Sequence, residues 1–136
     1  MKLTELWVNL PLLFTTLFVA ILFLQSGLDK VFNYKGNLEW LTGHFAKSPL
    51  GGTVGMMLPV LTAMEVATGI LSVVGLVYFL VTGAVSLIFY ASILAAASLT
   101  ALFFGQRVAQ DYPGAAVLVP YFLLILVLMY LSSAVR

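Results

Sequence analysis

The chain has 136 residues, 62% of them hydrophobic and only 8% charged, with a formal net charge of +1 and no cysteine. Soluble domains carry about a quarter charged residues, so this composition excludes an ordinary water-soluble fold and points to an integral membrane protein. The absent thiols exclude disulfide relay, thiolate metal sites and iron–sulfur ligation by this chain alone, and one histidine provides neither bis-histidine haem ligation nor a histidine-based metal site.

A membrane-crossing helix needs roughly 20 apolar residues. Residues 6–28 form one window free of Asp, Glu, Lys and Arg, and residues 112–135 form another. The window between them, 66–106, is too long for one crossing and too short for two joined by a turn. The second span must therefore start earlier, near Thr53, and take Glu65 with it. The expected fold is all-α: one domain over 1–136, an integral membrane four-helix bundle with spans at about 6–30, 53–74, 78–106 and 113–134, and a short interfacial helix between the first two. The runs are continuous rather than alternating, which sets aside a membrane β-barrel. The first run exceeds a signal h-region and lacks a small-x-small cleavage pattern, so it reads as a retained span.

In chain order, the first span opens at Pro11, tolerable in a first turn, and turns polar at QSGLDKVFNYKGN, where Gln25, Asp29 and Asn33 share one face. The loop NLEWLTGHFAKSPLGG offers Asn37 as an N-cap, an apolar face of Leu38, Leu41 and Phe45, and Trp40 as a headgroup-level anchor. His44 reads as an exposed or headgroup histidine on this interfacial helix. Pro59 is expected to kink the second span about one turn before Glu65, and a turn is expected at Gly75. The third span carries a small-residue face, Ala91, Ala95 and Ser98, suited to close packing. The fourth starts at Pro113 and Gly114, with a second kink expected at Pro120. Lys30, Lys35, Lys47 and Arg107 on the loop side outnumber Lys2 and Arg136 on the side of the termini, which places the loops in the cytoplasm.

Two sets of polar residues stand out. Antiparallel spans bring QSGLDK and FFGQRVAQDYPGAA to the same membrane face, so Asp29, Lys30, Gln106, Arg107 and Asp111 are expected to form one charge-balanced cluster there, with Arg107 and Asp111 paired at i, i+4. That cluster reads as a structural clamp, or as a headgroup or quinone-ring site with Arg107 and Gln106 as donors, or as a partner-docking surface. Glu65 lies twelve residues from Thr53, roughly 18 Å along the axis, where an ionised carboxylate is costly. It is expected to be neutral and hydrogen-bonded within the bundle to Thr62, Thr68, Ser92 or a carbonyl freed by Pro59, either as interhelical glue or as a hydrogen-bond partner for a buried ligand.

SGLDKVFNY closing the first span, MEVATGI in the second and FFGQRVAQDYPGAA before the last together resemble the DoxX family of small four-helix membrane proteins, over nearly the whole chain. The matching positions are Ser26, Gly27 and Lys30, then Glu65, then Gly105, Gln106, Arg107 and Asp111. The resemblance implies a multi-pass protein of the bacterial inner membrane, associated with oxidoreductases. DoxD-type relatives are subunits of a thiosulfate:quinone oxidoreductase, and some DoxX proteins act as scaffolds for membrane redox complexes. This chain has no thiol for sulfur transfer. The leading expectation is a non-catalytic membrane subunit or anchor of a redox or respiratory complex, surrounded by lipid and larger subunits, with a quinone or lipid between its helices. The alternatives are a quinone-reactive component using Glu65 with Gln106, Arg107 and Asp111, and a small proton-coupled transporter subunit, although no inverted repeat supports the usual carrier construction.

Overall fold

Hydrophobic burial against lipid and between apolar helices leaves the backbone to satisfy its own hydrogen bonds, and helices do this within one segment. The computed structural model describes residues 3–133 and contains six helices: α1 (Leu3–Val8), α2 (Leu10–Phe32), α3 (Tyr34–Phe45), α4 (Val54–Thr82), α5 (Ser86–Val108) and α6 (Tyr112–Ser132). Among the described residues there is no strand. Four of the helices, α2, α4, α5 and α6, are long and apolar enough to cross a membrane, and the chain is an all-α, multi-pass four-helix bundle. Lys2 and Arg136, which enter the orientation argument, and residue 134 of the expected fourth span lie outside the described residues.

The four long helices pack as a ring: α2 on α4, α4 on α5, α5 on α6, with α6 closing more lightly on α2. Their shared core includes Leu12, Val19 and Phe23 from α2, Phe79 from α4, Ile88 from α5, and Ile125 and Leu128 from α6. Ala91, Ala95 and Ser98 are fully buried, as the small-residue face of the third span requires.

The boundaries differ from the sequence reading in instructive ways. The first span is divided at Asn9, because Pro11 occupies the first turn of α2, where its missing amide costs nothing. The second span does not turn at Gly75. It runs on to Thr82 as one helix of 29 residues, about 43 Å at about 1.5 Å per residue, and the third span starts at Ser86 rather than at 78. Gly75 serves packing instead: a Cβ there would lie 3.0 Å from the Ile88 backbone nitrogen. The turn falls at the next glycine, Gly83, whose φ of 79° lies in the left-handed region that glycine adopts without strain. Pro59 and Pro120 lie inside unbroken helices.

The interfacial helix α3 starts at Tyr34, one turn before the expected cap. Asn37 instead reaches back, donating through Nδ2 to the Asn33 carbonyl at 2.9 Å and to Asp29 Oδ2 at 3.3 Å. Phe45 is buried while Leu38 and Leu41 are half-buried, so the apolar face forecast for this helix is the face it presents to the bundle.

Candidate functional site: two polar centres and a lateral groove

Most buried hydroxyls do nothing between helices. Thr16, Thr62, Thr68, Ser72, Ser92, Ser98 and Ser132 each donate to a carbonyl of their own helix three or four residues back, the local option open to Ser and Thr in apolar surroundings. Two groups of side chains that link separate helices contain residues singled out from the sequence.

The first centre joins α2 to α4. The ring packing is tightest where Gly27 faces Val66, a Cβ on Gly27 falling 2.9 Å from the Val66 nitrogen, and where Gly69 faces Leu24, a Cβ there falling 2.9 Å from the Leu24 nitrogen. That register sets Ser26 beside Glu65. Ser26 Oγ donates to Glu65 Oε2 at 2.9 Å, and Lys30 Nζ lies 3.0 Å from the same oxygen and donates to Ser26 Oγ at 3.0 Å. Glu65 is only 2% exposed. The expected partners are Thr62, Thr68, Ser92 or a carbonyl freed by Pro59; the three hydroxyls are committed to their own helices, and Glu65 is met instead by Ser26 and by the ammonium of Lys30. Lys30 stands in the last turn of α2, and its four-carbon stem carries the ammonium to Glu65.

The second centre joins α3 to the α5–α6 corner. His44 Nε2 is 2.8 Å from Gln106 Oε1 and 3.6 Å from Asp111 Oδ2. Its ring stacks on Trp40, centroids 4.7 Å apart, and meets Phe45 edge-on at 5.0 Å. Phe45 in turn lies over Gly105, where a Cβ would come within 3.4 Å of its ring. Asp111 also caps α6, its Oδ1 accepting from the Gly114 amide at 3.0 Å. His44 is therefore not an exposed headgroup histidine but a part-buried link. It stands three residues after Leu41, on the flank of the apolar face of α3, and that position was the sequence signal for its role.

The single five-residue cluster expected at the bundle mouth is thus divided. Lys30 belongs to the first centre, Gln106 and Asp111 to the second. Asp29 is exposed and held by Asn37. Arg107 does not pair with Asp111; it is exposed and sits over the Tyr112 ring, 4.5 Å from its centroid. The physical reason is direction: α5 ends at Val108, and the left-handed Gln110, with φ of 61°, swings Asp111 out of the i, i+4 relation.

Between α3, α4 and α5 lies a lateral groove of about 360 Å³, within the range of ligand pockets. One wall is Trp40, Leu41 and Phe45, another is Met57, Leu58, Leu61 and Met64, and Leu102, Gly105 and Gln106 complete it. Three of the chain's five methionines, Met56, Met57 and Met64, line it, giving a soft and adaptable surface. Gln106, whose amide oxygen meets His44, brings a polar group to this mostly apolar lining. Glu65 is not part of the lining; it follows Met64 by one residue and so points to another face of α4, toward α2. A second groove of about 260 Å³ between α5 and α6, flanked by Phe103, Leu118 and Phe122, is more uniformly apolar.

The cap gives a direct check on the second centre. Asp111→Ala is expected to cost about 1 kcal/mol, while Asp111→Asn, which keeps a cap acceptor, costs a few tenths; thermal unfolding in detergent reads the difference. Comparison of the chain with models of known protein families, with curated proteins and with solved structures finds no match.

Proposed function

We propose that this chain is a non-catalytic membrane subunit of DoxX type, anchored in a redox or respiratory assembly of the bacterial inner membrane, and that its lateral groove holds a quinone or lipid. The observation that carries the reading is the groove itself: apolar, methionine-rich, of ligand size and lined in part by the Gln106 amide. Two of its lining side chains, Met56 and Val60, are apolar and exposed, which suits entry of a membrane-soluble ligand sideways from the bilayer. The composition supports a subunit role, because no residue set in the sequence supplies electrons.

The quinone-reactive alternative needs Glu65, Gln106, Arg107 and Asp111 in one site. Only Gln106 and Asp111 meet, on His44, while Glu65 is turned to α2 and Arg107 sits over Tyr112, which favours the anchoring role. Native mass spectrometry of the protein taken from its own membrane in mild detergent tests the proposal. Co-purifying larger redox subunits together with a bound quinone or lipid are the expected result, and a lone chain with nothing bound would sink it.

A further inference from the structure

We propose that the second groove, between α5 and α6, is a phospholipid site: an acyl chain lies in the groove and the head phosphate sits on Arg107. This is independent of what the groove between α3, α4 and α5 holds. The second groove, about 260 Å³, is lined by Leu99 and Phe103 of α5 and by Leu118, Phe122 and Leu123 of α6. The Thr100 hydroxyl, the polar side-chain group of this lining, donates to the Ala96 carbonyl of its own helix at 2.7 Å. Nothing in the lining is left to pair with a polar molecule, so a hydrocarbon chain is the occupant it suits. Phe103 and Leu123 are exposed, as is Val119 beside them, so such a chain reaches the groove directly from the bilayer.

The charge at the end of the groove identifies the molecule that carries the chain. Arg107 follows Phe103 by four residues and Thr100 by seven, so the three share one face of α5. Tyr112 precedes Val119 by seven, which puts it on the groove face of α6. Arg107 therefore stands about one turn, or about 6 Å, beyond Phe103 along the helix axis, in the last turn of α5. The Tyr112 ring steadies the guanidinium, 4.5 Å from its centroid, but supplies no anion. Among the described residues Arg107 is exposed and has no carboxylate partner. Asp111, the next carboxylate along the chain, spends Oδ1 on the Gly114 amide and faces His44 with Oδ2. An unpaired guanidinium one turn past an apolar groove matches a phosphate ester above a hydrocarbon tail, because its planar N–H fork fits phosphate oxygens. A zwitterionic head would find a partner for its phosphate and none for its ammonium. The site therefore favours a head whose only charge is the phosphate, as in phosphatidylglycerol.

Native mass spectrometry of the protein in detergent with equimolar phosphatidylglycerol and phosphatidylcholine of the same chain length counts each lipid retained. The parent is expected to keep phosphatidylglycerol about fivefold over phosphatidylcholine, the effect of a single interfacial cation on an anionic head. Arg107→Gln is expected to lose that preference, and Lys47→Gln, at an exposed lysine outside the site, to retain it. Thr100→Phe, which adds bulk to the groove lining, is expected to lower retention of both lipids. Equal retention of the two lipids by the parent, a preference that survives Arg107→Gln or falls as much in Lys47→Gln, or retention unchanged in Thr100→Phe, would overturn the site.

Discussion

Lys30→Met destabilises the bundle by about 3–5 kcal/mol, the cost of leaving a buried carboxylate without its counter-charge. Glu65 is 2% exposed and both of its interhelical partners approach the same oxygen, so no other side chain takes over when the ammonium is removed. The partner test is the double substitution Lys30→Met with Glu65→Leu. It removes both charges and recovers most of the lost stability, because an ion pair replaced by apolar groups of similar volume is close to neutral. Equilibrium unfolding in detergent micelles reads all three variants. If the double variant is no more stable than Lys30→Met alone, the pair is not what makes Lys30 necessary.

Gly27→Ala and Gly69→Ala each cost about 1–3 kcal/mol by overpacking. The added methyl on Gly27 meets the Val66 backbone nitrogen at 2.9 Å, and that on Gly69 meets the Leu24 nitrogen at 2.9 Å. Backbone cannot rotate away as a side chain can, so α2 and α4 must separate. The same separation pulls Ser26 and Lys30 from Glu65, coupling the two effects: combined with Lys30→Met, Gly27→Ala is expected to cost less than it does alone. Additive losses in that double variant would mean that the glycine contact and the ion pair are independent.

The parts of this fold legible in the sequence were those set by repetition. Four apolar runs, a small-residue face on the third and an apolar stripe on the interfacial helix follow from hydropathy and period, and each is a statement about many residues at once. Turn placement was less legible because two glycines, Gly75 and Gly83, carry the same letter for opposite reasons, one for close helix approach and one for a left-handed turn. The polar residues were correctly noticed and wrongly grouped. Sharing a membrane face does not decide which helix a side chain leans toward, and the lean is fixed by contacts such as Gly27 on Val66 and Phe45 on Gly105 that no local pattern announces. For His44, the flank of the apolar face of α3 signals partial burial, but its partner Gln106, 62 positions away, is brought within hydrogen-bond reach only by the tertiary fold.

A division of labour follows from the geometry. The Lys30–Glu65–Ser26 centre links α2 to α4, while the proposed ligand site is the groove beside Gln106. The most direct test compares two variants by native mass spectrometry after extraction from the same membrane: Ala101→Phe, which adds bulk at a position of α5 that lines the groove, and the charge-free pair Lys30→Met with Glu65→Leu. The account predicts that Ala101→Phe loses the bound quinone or lipid while the charge-free variant keeps it. Ligand retained by Ala101→Phe, or lost with the charge pair alone, would contradict it.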